Sequence, residues 1–283
     1  MALLQAIYDD DMVEVRRLLT MGVNLDERDA NGVTALHYAS DKGQVEAIRV
    51  LVEHLGANKE AKSANGLTAL HHAAILGHAE AIKALVQLGV NKEAKGAGGS
   101  TVGCTPLHLA AFNGHVEAIK LLVQLGADKE AKDADGATPL HHAAHKGHVE
   151  AIKLLEQMGA DKEAKTARGR STPLHLAACN GHVEAIKLLA GMGAQLDAQT
   201  AHGETPLQLS IRMGHHQAAQ VLRELERAAR AQKAAETSER AQQAAEQADR
   251  NAAALIEEEE REEAAKAQSK VRGVELKPVC GVI

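Results

Sequence analysis

Through the first 226 residues the apolar positions fall into two short helical patterns that alternate. Residues 138–155, TPLHHAAHKGHVEAIKLL, show both. Leu140, Ala143 and Ala144 form one stripe. After Gly147, the residues Val149, Ile152, Leu154 and Leu155 form a second, with spacings near three and four. Thr138 suits the N-cap, and Pro139 suits the first helical position, where its missing N–H costs nothing. Gly147 and Gly159 supply the stops. The pattern predicts pairs of helices too short to bury their own apolar faces, so neighbouring pairs must cover them. From about His215 to Ser269 the pattern changes: Gly and Pro vanish and Ala, Glu, Arg, Lys and Gln take over. Glu226 stands where a stop glycine is expected, so the last helix should run on. About 50 residues at a rise of 1.5 Å would extend on the order of 75 Å.

The paired pattern is a repeat. Heads of the form TxLHxA begin at Thr34, Thr68, Thr105, Thr138 and Thr172, with the variant TPLQLS at Thr205. Successive spacings are 34, 37, 33, 34 and 33, and a glycine follows nine residues after every head Thr. A period near 33 with TPLHxA at its head resembles the ankyrin repeat, over the chain from its start to about residue 226. The resemblance implies an all-α solenoid of helix-turn-helix units with β-hairpin loops, followed here by a long C-terminal helix. The expected division is an N-terminal cap at about 1–28 and repeats at about 29–62, 63–95, 96–132, 133–166, 167–199 and 200–226. An Ala-rich helix at 227–269 and a tail at 270–283 complete it. The N-terminal cap, LLQAIYDDDM onward, lacks the TxLH head, as a solenoid end should.

The family usually binds proteins through a concave surface of hairpin tips and first helices. Register places the two residues before each turn glycine on that surface. Ile75, Leu76, Phe112, Asn113, His145, Lys146 and Asn180 are the expected partner-binding residues. Ile75, Leu76 and Phe112 are large and apolar on adjacent repeats. Beside them the segment GAGGSTVGC, Gly96 to Cys104, is four residues longer than its counterpart before Thr68 and reads as a mobile finger. The recurrent KEAK at 59–62, 92–95, 129–132 and 162–165 predicts cross-repeat ion pairs along the hairpin bases.

Four histidines at 141, 142, 145 and 148 raise the question of a metal, since His141 and His145 have the i, i+4 spacing of a helical zinc pair. His37, His71, His108, His141 and His175 recur at one place, however, and His78, His115, His148 and His182 at another. With no cysteine or carboxylate grouped beside them, the expectation is structural histidines, no metal and no cofactor.

Composition narrows the function. There is no Trp, one Phe and two Tyr, so packing rests on Leu, Ile, Val and Ala. A net charge of −6 gives no basic footprint for nucleic acid. Three scattered cysteines argue against a disulfide framework, and the N-terminus lacks a signal-peptide pattern, so a cytoplasmic setting is expected. No GxSxG, HExxH, P-loop, dinucleotide fingerprint or CxxC occurs, which argues against an enzyme acting on a small molecule. The expected function is a non-catalytic adaptor with a protein partner. The alternative is a tethered or self-associating adaptor, on two features of the tail. Ala231, Ala234, Ser238, Ala241, Ala245, Ala248, Ala252 and Leu255 follow a heptad spacing, and Cys280-Gly281-Val282-Ile283 fits the C-a-a-X pattern for prenylation.

Overall fold

The computed structural model describes residues 2–274, so Cys280 and its C-a-a-X motif lie outside the described residues. Helices α1 (Ala2–Tyr8) and α2 (Met12–Thr20) form the cap. Each repeat then contributes a first and a second helix. The first helices are α3 (Ala35–Asp41), α5 (Ala69–Leu76), α7 (Pro106–Asn113), α9 (Pro139–Lys146), α11 (Pro173–Cys179) and α13 (Pro206–Arg212). The second helices are α4 (Val45–Arg49), α6 (Ala79–Gln87), α8 (Val116–Gln124), α10 (Val149–Gln157) and α12 (Val183–Gly191). The long helix α14 (His216–Val274) supplies the second helix of the last repeat with its first turns, where Ala218, Ala219 and Leu222 are buried.

First helices stack on first helices and second on second. Three ladders of fully buried side chains run through the stack: Leu36, Leu70, Leu107, Leu140 and Leu174; Ile48, Ile82, Ile119, Ile152 and Ile186; Leu51, Leu85, Leu122, Leu155 and Leu189. Small residues between them, such as Ala143, Ala144 and Ala151, let the helices close up. The isoleucine ladder ends on Ala219, as befits a terminal repeat.

The head histidine ties each repeat to the next. In His108 the Nδ1 atom accepts the Thr105 backbone N–H at 3.1 Å and lies 2.8 Å from Thr105 Oγ1. Its Nε2–H donates to the Ala137 carbonyl of the following repeat at 3.0 Å. His37, His71, His141 and His175 repeat this pattern onto Leu67, Cys104, Ser171 and Glu204. Both ring nitrogens are thus used by the neutral imidazole. Burial, the largest cause, pushes His37, His71, His108 and His141 down to about 4.

The three departures from a period of 33 each have a local cause. In the first repeat an extra residue in the second helix is absorbed as a π-helical turn at Val50–His54. Before Thr172 an extra residue, Arg170, sits at φ 50 in the hairpin. Before Thr105 the four added residues form the 96–104 loop. The hairpins are too short for a ladder: Ser63 and Leu67 share one backbone–backbone bond, at 2.9 Å, and no strand forms among the described residues. The KEAK segments correct one expectation. Their cross-repeat links are hydrogen bonds to backbone, not ion pairs. Glu60, Glu93, Glu130 and Glu163 accept the N–H of Asn91, Asp128, Asp161 and Gln195, while Lys59, Lys62 and Lys95 donate to carbonyls of the next repeat.

By internal packing, residues up to Leu225 form one compact unit and those from Glu226 on another. In the second, residues 227–268 are exposed throughout, Leu255 and Ile256 included. Its helix rests on intrinsic propensity and on i, i+4 pairs such as Arg250–Glu246 and Arg261–Glu257. No helix among the described residues is long and apolar enough to cross a membrane.

Candidate functional site

In each of the first five repeats, the residue two before the turn glycine is held by the next repeat. His78, His115, His148, His182 and His215 cap the following second helices, and each donates its Nε2–H to one such carbonyl. The acceptors are Asp41, Ile75, Phe112, His145 and Cys179, at 2.8 to 3.0 Å. The same rings lie against the turn glycines. A Cβ on Gly114 would sit 2.7 Å from the His148 ring, and one on Gly147 would sit 2.6 Å from His182. Glycine is needed there twice over, for a φ near 70° and for that approach. These positions therefore have a rigid backbone and freely variable side chains.

Around Phe112 those side chains converge. The Phe112 ring is half-buried and stacks on the His145 imidazole, with centroids 6.4 Å apart and planes at 17°. His142 meets it edge-on at 5.9 Å, and Lys146 Nζ stands 4.4 Å above its centroid. Asn180 Nδ2 reaches His145 Nδ1 at 3.2 Å. A cleft of about 260 Å³ opens here, lined by Phe112, His142 and His145 and walled by Asp133 and Asp135 from the hairpin of the fourth repeat. Burial, then the adjacent Lys146 charge, lowers the His145 pKa. Burial opposes ionisation of Asp133, but the His142 N–H and the Ala137 backbone N–H outweigh it and hold the carboxyl below its usual range.

Of the sequence-expected residues, the fold brings Phe112, His145, Lys146 and Asn180 together. Leu76 is exposed, at 47 %. Ile75 turns away from the cleft to pack on Leu67, Cys104 and Leu109. Asn113 bonds back to the Leu109 carbonyl of its own helix. The Gly96–Cys104 segment is not the loose finger that its glycines suggest. Gly96 and Cys104 close it at 3.0 Å, Thr101 Oγ1 bonds Gly98, and Ala97 and Gly98 both donate to the Asn65 carbonyl of the preceding hairpin.

The histidine run also needs correcting. His141 and His148 are structural, as expected, but a cysteine and a carboxylate do lie beside His142. One donor atom from each of Cys104, Asp133 and His142 falls within 4.8 Å of the others. Tyr8 was missed as well. Asp10 takes the place of a turn glycine, at φ 57, which makes Tyr8 the counterpart of Phe112, and Lys42 stands 4.1 Å over its ring as Lys146 does over Phe112. The sequence already places DDD at that turn, and the rule of two residues before the turn position, extended to the cap, points to Tyr8.

Comparison with known proteins agrees with this architecture. A family model described as ankyrin repeats (three copies) matches residues 3–96, 96–166 and 159–233. No curated protein sequence matches the chain. Among solved structures, the ankyrin repeat domain of human ASB11 is similar, with a TM-score of 0.69 at 28% identity, covering 78% of this chain and 97% of that one.

Proposed function

Because the chain belongs to the ankyrin-repeat family, whose repeats generally serve protein–protein interaction, we propose that it is a non-catalytic adaptor that takes a partner protein at the Phe112 cleft. The observation that carries this reading is the half-buried Phe112 ring, framed by His145 and Lys146 on a carbonyl fixed by His148. An aromatic seated in a rigid concavity, with polar groups around its rim, is the usual form of an interface anchor. Leu76, exposed on the second repeat, and Asn180, bonded to His145 from the fifth, are the further contacts proposed for the partner. Cys104 and Cys179 are free thiols, which suits a reducing, cytoplasmic setting. The exposed alanine stripe and Leu255 of α14 favour self-association as the part played by the tail.

The test is quantitative cross-linking of partners to wild type and to Phe112→Ala with Leu76→Ala. Loss of the cross-linked species, with helical signal and cooperative unfolding retained, supports the cleft. Undiminished cross-linking would remove it. Solution mass with and without residues 227–283 separates a monomeric adaptor from a self-associating one.

A further inference from the structure

We propose that Cys104, Asp133 and His142 form a binding site for one zinc-class divalent cation at the junction of the third and fourth repeats. The site goes beyond partner recognition and stands whether or not a partner occupies the cleft. Thiolate, imidazole and carboxylate are together a donor set of the borderline-soft kind that zinc prefers, and three protein ligands leave one position open. Their donor atoms lie within 4.8 Å of one another, close enough for small side-chain rotations to bring all three onto a single ion. The open side faces the cleft that His142 and Asp133 line.

Each donor is positioned by bonds made through its other atoms, and the two ligating atoms that are already bonded, Asp133 Oδ2 and His142 Nε2, are bonded only to each other. Asp133 Oδ1 accepts the N–H of Asp135 and of Ala137, both at 2.9 Å, so that Oδ2 alone points to His142 at 2.8 Å. The Cys104 backbone is pinned through Thr101, Gly96 and His71, while its sulfur makes no hydrogen bond among the described residues. His142 is wedged edge-on between His108 and Phe112. Such outer support is what a metal site requires.

The scaffold does not need these residue types. At the places of Cys104, Asp133 and His142, the preceding junction has Leu67, Gly96 and Leu109, and the following one has Ala137, Thr166 and Leu176. The Asp133 and Asp135 carboxylates set a negative field at the buried Cys104 thiol. The same negative field attracts a cation. Binding then releases the thiol proton to solvent, while the imidazole proton that His142 shares with Asp133 moves from Nε2 to Nδ1, so that the thiolate sulfur and the Nε2 lone pair pass to the metal.

The full chain, reduced and carrying Cys179→Ser and Cys280→Ser so that Cys104 is the one thiol, is titrated with Co²⁺ as the spectroscopic stand-in. The expected result is one equivalent bound, with a sulfur-to-cobalt charge-transfer band in the near ultraviolet that Zn²⁺ abolishes. Asp133→Asn, which keeps the backbone bonds, and His142→Gln should each weaken binding at least 10- to 100-fold, roughly the loss seen for outer-shell partners alone. Absence of the band, or a band and affinity untouched by both substitutions, overturns the site. Zn²⁺ should also raise the wild-type unfolding temperature but not that of Cys104→Ser. Equal shifts in the two would mean only adventitious binding by surface histidines.

Discussion

The junction between the second and third repeats and that between the third and fourth share one frame and fill it with opposite chemistry. In both, a head histidine reaches across to a carbonyl, His71 to Cys104 and His108 to Ala137. In both, a capping histidine holds the residue two before the turn glycine, His115 on Ile75 and His148 on Phe112. The slot beneath the hairpin is apolar in the first, where Ile75 seals against Leu67, Cys104 and Leu109. In the second it holds Asp133 and His142, Phe112 is left half open, and His145 and Lys146 crowd its ring. The difference teaches that stability lives in the recurring residues, which leaves the slot free to carry chemistry.

If so, perturbing the frame should cost the same at either junction. The largest effect comes from acid. The four most buried head histidines are held neutral, at about 4 against an ordinary 6.5. Their contribution is complete above about pH 6.5, shrinks as pH falls, and is gone below about 4. Each amounts to on the order of 3 kcal/mol, so together they rival the whole stability of a typical domain. The loss should therefore begin near 6, as histidine titration alone suggests, and the solenoid should unfold before pH 4, as followed by circular dichroism. His71→Gln and His108→Gln should each remove about one proton from the pH slope, because Gln208 already does this work in the last repeat, accepting the Thr205 N–H at 2.9 Å.

Next in size are the ladders. Leu107→Ala and Leu140→Ala, both fully buried, should each cost roughly 2–5 kcal/mol in urea unfolding. Gly77→Ala and Gly114→Ala should each cost about 1–3 kcal/mol, since both force a positive φ on alanine and press its Cβ within 3 Å of a histidine ring. A marked inequality within any of these pairs would break the shared-frame reading. The smallest effect is Lys146→Ala, which removes one exposed cation–π contact at about 0.5–1 kcal/mol.

The frame was legible because it repeats: a Thr, a His and a Gly at fixed offsets announce the capped helix, the cross-repeat bond and the turn. The slot was not, because its members meet only through stacking. Cys104 precedes one head, Asp133 opens the next hairpin and His142 follows the next head histidine, so no window of sequence contains them as a group. The neighbours of His142 on α9 do not supply its partners, which come from just before the head of the preceding repeat and from the hairpin ahead of its own. The docked Gly96–Cys104 loop was hidden for a related reason. Glycine content reports freedom in the unfolded chain, whereas the Asn65 carbonyl that fixes the loop belongs to another repeat.

The most direct test of a slot built apart from its frame is urea unfolding of Phe112→Ala beside Leu140→Ala at neutral pH. A frame-independent Phe112 should cost about 1 kcal/mol when truncated, against roughly 2–5 kcal/mol for the ladder leucine, with the same urea dependence. A Phe112→Ala cost of about 3–5 kcal/mol, the size expected of a core phenylalanine, would contradict the account and return that ring to the frame.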